Sequence, residues 1–127
     1  MSAQEPGMPK IIFFTFCSKH KDDSLKGTGR QVTPNRLYLG KNRIEPFMSK
    51  CMTQKVEWAI FSDKYGLWYS GEMHAWYEKP PYEVSEREQA ALFHSTLERL
   101  RGRSYDRVYF YAAKNFFRVH RLYRELF

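Results

Sequence analysis

Lys10-Ile-Ile-Phe-Phe-Thr-Phe-Cys17 is a continuous run of β-branched and aromatic residues, stopped by the polar Ser18-Lys19-His20-Lys21. A run this short, with no polar alternation, predicts a strand buried on both faces, as in a parallel sheet. Two further runs share its character: Val56-Glu-Trp-Ala-Ile-Phe-Ser62, closed by the turn Asp63-Lys-Tyr-Gly66, and Arg107-Val-Tyr-Phe-Tyr-Ala-Ala113. Helical patterns separate them. Pro46–Thr53 begins with proline at a plausible first helical position and gathers Phe47, Met48 and Cys51 on one side. Ser85-Glu-Arg-Glu88 is a capping box, followed by an apolar stripe of Ala90, Phe93, Leu97 and Leu100 that Gly102 ends. Asn115 reads as the cap of a last helix with Phe116, Tyr123 and Phe127 on one face.

Strands alternating with helices predict an α/β protein: a three-layer sandwich with a small, largely parallel central sheet and right-handed crossovers. The strand ends at Cys17, Ser62 and Ala113 would then share one edge, the edge outside which ligands bind in such sheets. Residues 1–9 read as a flexible lead-in and 10–127 as a single domain, with 67–84 irregular and rich in aromatics around Pro80-Pro81.

The chain of 127 residues has length for one hydrophobic core, and its 17% aromatic content excludes a disordered chain. Its longest apolar-rich stretch, Ile11–Cys17, is far short of a membrane span. Two cysteines are too few for a disulfide framework, and the N-terminus carries no basic-then-apolar secretory pattern, so a reduced cytoplasmic setting is expected. The Cys and His residues have no metal-ligand spacing, and no cofactor motif is present. A net charge of +7 raises the prospect of a polyanionic partner, with positive charge dense at Arg36–Arg43 and along Arg118, Arg121 and Arg124.

Three constellations carry potential chemistry. Directly after the first strand, Phe16-Cys-Ser-Lys-His-Lys21 brings the thiol of Cys17, the hydroxyl of Ser18, an imidazole and the ammonium groups of Lys19 and Lys21 to one place. Neighbouring lysines would lower the thiol pKa and favour thiolate; alternatively Cys17 is a small buried apolar residue. After the second strand come Ser62, Asp63 and Tyr65, where Asp63 can orient water or accept from a base edge, and Gly66 suits a turn needing positive φ. The third is the aromatic stretch Trp76, Tyr77 and Tyr82, which either stacks on bases or seals the core under a long loop.

Taken in order, Cys17-Ser-Lys19, Arg36-Leu-Tyr38, Glu45-Pro-Phe47, Trp58-Ala-Ile-Phe-Ser-Asp-Lys-Tyr-Gly-Leu67 and Pro81-Tyr82 resemble a family of small domains with a uracil-DNA-glycosylase-like α/β fold. Relatives of that family occur as a domain of archaeal tRNA-guanine transglycosylase-type proteins, including archaeosine synthases. The resemblance spans roughly residues 10–126, and the Trp58–Leu67 block is its most specific part. It implies a sandwich fold and a connection to modified nucleosides or nucleic acid. It does not imply uracil excision. The glycosylases carry an acidic or amide residue in a G-x-D-P-like loop after the first strand, whereas this chain has Cys17-Ser-Lys-His20 there.

Two functional classes follow as expectations. In the first, an enzyme handles a nucleobase or nucleotide in tRNA or DNA base modification. Asp63, Ser62 and Cys17 are then its catalytic candidates, and Ser18, Lys19, Tyr65 and Tyr82 bind substrate. In the second, a non-catalytic RNA- or DNA-binding module works beside a modification enzyme, through phosphate contacts from Arg36, Arg43, Arg118, Arg121 and Arg124. A homo-oligomeric scaffold using exposed aromatics is a third expectation.

Overall fold

A computed structural model describes residues 9–78 and 84–111. A four-stranded sheet forms its centre, in the order β4-β3-β1-β6, from β1 (Ile11–Phe16), β3 (Glu57–Ser62), β4 (Gly66–Tyr69) and β6 (Arg107–Tyr111). β1 pairs in parallel with both β3 and β6, and β4 returns antiparallel to β3. The expected α/β class with a mostly parallel sheet is therefore observed. A second ladder joins β2 (Gln31–Val32) to β5 (His74–Ala75) by two residue pairs.

The register explains how helices cover the sheet. Phe13 lies opposite Trp58, and Ala59 lies opposite Tyr69, so Trp58 and Tyr69 project to opposite faces. Helix α2 (Ile44–Gln54) meets the Trp58 face, where the Phe47 and Trp58 rings approach edge-on at 6.4 Å. Helix α3 (Glu86–Gly102) meets the other face, where the Tyr69 hydroxyl donates to the Arg99 carbonyl at 3.3 Å. Ile12, Phe14, Ala59, Ile60, Leu67 and Trp68 are essentially without solvent contact and make up the middle of the core.

Local sequence chemistry sets the ends of these elements. Ser85 caps α3 by accepting from the Glu88 amide at 3.1 Å, as its capping box predicts. Gly66 adopts φ +73°, and a Cβ there would meet Leu92 Cδ2 at 3.4 Å, so both conformation and space favour glycine. A short helix, α1 (Pro34–Leu37), begins on proline and buries Leu37. α2 starts two residues before Pro46 instead of at it.

Two expectations are corrected. Residues 67–69 were read as irregular and form β4 with Gly66 instead, because the tight turn after Ser62 folds Leu67, Trp68 and Tyr69 directly back against β3. β6 is not buried on both faces. Arg107, Tyr109 and Tyr111 are exposed and alternate with the half-buried Val108 and Phe110, as on an edge strand. The last helix expected from Asn115 and the strand end at Ala113 lie outside the described residues.

Candidate functional site at the strand ends

β1 and β3 end side by side. The Cys17 amide donates to the Phe61 carbonyl at 3.0 Å, which extends the pairing one residue past β1 and brings Cys17 level with the start of the β3–β4 turn. There the Cys17 thiol donates to Asp63 Oδ2 at 3.5 Å, with Cys17 6% and Asp63 4% exposed. The two candidates, 46 positions apart in the chain, thus meet at the predicted edge.

Ser62 organises the turn. Its hydroxyl accepts from the Lys64 amide at 3.1 Å and the Tyr65 amide at 3.0 Å, and donates to the Tyr77 hydroxyl at 3.1 Å. Tyr77 and Tyr38 share a hydrogen bond of 2.5 Å between their hydroxyls. Tyr38, Tyr77 and Ser62 thus form one buried hydrogen-bonded chain, and the Cys17–Asp63 pair lies beside it, close enough for Tyr77 and Cys17 to influence each other's ionisation. Ser62 and Tyr38 have no solvent contact at all.

Burial at this site holds the thiol and the two phenols in their neutral forms. Burial, reinforced by the Asp63 carboxylate, pushes the Cys17 thiol up to about 12. Burial likewise pushes Tyr77 and Tyr38 above the ordinary phenol value, with Cys17 adding to the effect on both. The expectation that neighbouring lysines favour thiolate is corrected: Lys19 points into solvent, while burial and Asp63 dominate at Cys17. At pH 7 the thiol is therefore protonated. Cys17 is a hydrogen-bond donor here.

The remaining candidates divide. Ser18 is half-buried and donates to the His20 carbonyl at 3.0 Å, beside the network. Tyr65 sits over it, its hydroxyl donating to the Ala75 carbonyl at 2.9 Å and its ring stacked on His74 at 4.0 Å. Arg36 is exposed on α1. Arg43 departs from the exposed basic patch expected of it. Its half-buried guanidinium donates to Thr15 Oγ1, the Phe16 carbonyl and the Cys17 carbonyl at 2.8, 2.7 and 3.2 Å, which fixes the end of β1. Tyr82, Arg118, Arg121 and Arg124 lie outside the described residues.

Tyr38 escaped the sequence reading as a site residue, Tyr77 was read only as a stacking or core-sealing aromatic, and Lys21 was read beside Cys17 with no role of its own. Tyr38 and Tyr77 supply the buried hydroxyls, and Lys21 sets its ammonium 4.4 Å above the Tyr77 ring centre. Burial lowers the Lys21 pKa, against the opposing pull of Cys17 and Asp63. Tyr38 had a signal in Arg36-Leu-Tyr38; Lys21 had none beyond its nearness to Cys17.

The arrangement offers a ligand one buried carboxylate whose thiol partner is protonated, with a half-buried ammonium nearby. It suits hydrogen-bond recognition or the positioning of water better than attack by Ser62, whose proton and lone pairs are already engaged. Among the described residues no group of three or more His, Cys, Asp or Glu side chains gathers as a metal site. No helix among them is long and apolar enough to cross a membrane. Comparison of the chain with protein-family models, curated proteins and solved structures finds no match.

Proposed function

We propose that this chain is a nucleic-acid-associated domain of uracil-DNA-glycosylase-like architecture, handling a nucleobase or nucleotide in tRNA or DNA base modification in the cytoplasm. The observation carrying this reading is the contact of Cys17 with Asp63 at the carboxyl ends of two parallel strands. The motif resemblance and the +7 charge support it. Asp63 is the group that accepts from a base edge or orients water, and the protonated Cys17 fixes the carboxylate. Lys21 supplies positive charge beside it. Nuclear magnetic resonance titration with the free nucleosides and their monophosphates tests the reading. Binding in the wild type that Asp63→Asn weakens about tenfold or more sustains it. Absence of binding by every nucleoside and nucleotide removes it.

A second reading, a binding module without catalysis, is favoured by the neutral thiol and the fully engaged Ser62. It requires affinity for tRNA or DNA that falls steeply with salt, and a filter-binding titration across salt concentrations decides it.

A further inference from the structure

The Trp58 face of the sheet is only partly covered by α2. Towards the β6 edge it opens into a groove of about 620 Å³, within the range of ligand clefts, lined by Phe13, Phe47, Cys51 and Tyr111 with Lys50 and Gln54 on the α2 wall. Phe13 and Tyr109 stack at 5.2 Å between ring centres, and Phe47 and Tyr111 lie 5.8 Å apart. Tyr109 remains 42% and Tyr111 50% exposed. These rings stand on a sheet edge, so backbone pairing fixes their spacing and a flat partner finds the surface already formed.

The charge around the groove selects the partner. Lys50 lines it, and Arg107 stands beside Tyr109 with Nη1 3.4 Å from the phenol oxygen. No acidic residue lines the groove among the described residues. Flat aromatic faces bordered by cations match unpaired nucleic acid, whose bases stack on rings while its phosphates meet the cations. An apolar protein segment would leave Lys50 and Arg107 without counter-charge, an acidic one would offer few flat faces to the rings, and a duplex would keep its base faces stacked internally.

We infer that the β6–α2 groove binds single-stranded nucleic acid by stacking bases on Tyr109 and Tyr111, with Lys50 and Arg107 at the phosphates. This surface is separate from the strand-end network, and the inference does not depend on what occupies that site.

Fluorescence anisotropy of the full chain with labelled oligo-uridine and oligo-thymidine, each of about 12 nucleotides, tests it against a duplex of equal length. The single strands bind more tightly than the duplex, and the oligo-uridine and oligo-thymidine arms tell RNA from DNA. Tyr109→Ala combined with Tyr111→Ala weakens binding about tenfold or more, the loss expected when one or two stacked bases are released. Lys50→Glu weakens it by more than the equal charge change Arg101→Glu on the exposed side of α3. Ultraviolet crosslinking of a thiouridine-substituted strand maps to the peptide containing both tyrosines. Circular dichroism confirms that each variant keeps its fold. Several results overturn the inference: no single-strand binding, duplex binding of equal strength, or affinity unmoved in the double tyrosine variant. It also falls if Tyr109 and Tyr111 resist nitration in the full chain, since residues 112–127 then occupy the groove. Sedimentation showing a dimer that the double variant dissociates overturns it too, assigning the face to a second copy.

Discussion

The two ends of the β3–β4 hairpin are built on opposite electrostatic principles. At the turn end, Ser62, Asp63, Cys17, Tyr77 and Tyr38 are desolvated, and burial holds the two phenols and the thiol protonated in one polar cluster. At the open end, Glu72 and Arg99 form an ion pair at 2.6 Å that remains one-third exposed. The Glu72 carboxylate there also accepts from the Tyr69 amide at 2.9 Å, and Arg103 stacks its guanidinium 3.7 Å from the Tyr69 ring centre. The same two strands therefore end in a dry polar cluster and in a wet ionic one. The difference teaches where proton uptake and loss are coupled to folding: the dry end resists alkali only up to a point, and the wet end resists acid only down to one.

Alkaline unfolding tests the dry end most strongly. The folded thiol of Cys17 titrates far above its unfolded value of 9.0, so its contribution is complete below pH 9 and is lost as pH rises towards about 12. Each pH unit in that window removes up to ~1.4 kcal/mol. Urea midpoints measured from pH 8 to 11 should fall steeply in the wild type and more gently in Cys17→Ala. Equal slopes would mean that the thiol is not the titrating group.

Breaking the network at its middle has the next largest effect. Tyr77→Phe removes the acceptor for the Ser62 hydroxyl and the partner of Tyr38 without opening a cavity. Leaving those two groups unsatisfied costs about 1–3 kcal/mol, readable as a shifted denaturation midpoint at pH 7. The wet end gives the smallest effect. Burial pushes the Glu72 pKa up, but the hydrogen bonds from Arg99 and the Tyr69 amide outweigh it and hold the group below the usual carboxylate value. Its contribution is present above the unfolded value of 4.5 and fades as pH falls below it. Glu72→Gln should cost less than about 1 kcal/mol at pH 7, because solvent screens the pair, and should flatten the acid limb of the stability curve.

Much of the frame was legible because it depends on local pattern. The Ser85 capping box, the Gly66 turn and the three apolar runs each predict their element from neighbouring residues. β4 was not legible, since Leu67-Trp-Tyr69 carries no alternation and becomes a strand only by folding back on β3. β6 was misjudged because its tyrosines count as apolar in a run, whereas an edge strand leaves alternate ones open. At the site, sequence placed Cys17 and Asp63 at the correct edge and left the thiol open between a lysine-activated thiolate and a small buried residue, of which the buried one is observed. The group that decides its ionisation comes from another strand, and Tyr38 and Tyr77 reach it through loops whose closure no local motif encodes.

The β2–β5 ladder has a consequence for how solvent reaches this cluster. It is the smallest sheet in the described residues, two pairs long, and Ala75 lies two residues before Tyr77 while accepting from Tyr65. The β1–β3 rim, by contrast, is clamped by Arg43 and by the Cys17–Phe61 hydrogen bond. Deuterium from the medium would thus replace the amide protons of Val32 and Ala75 well before those of Thr15 and Ile60. The side of the cluster where Tyr65 meets Ala75 would then loosen before the β1–β3 rim does.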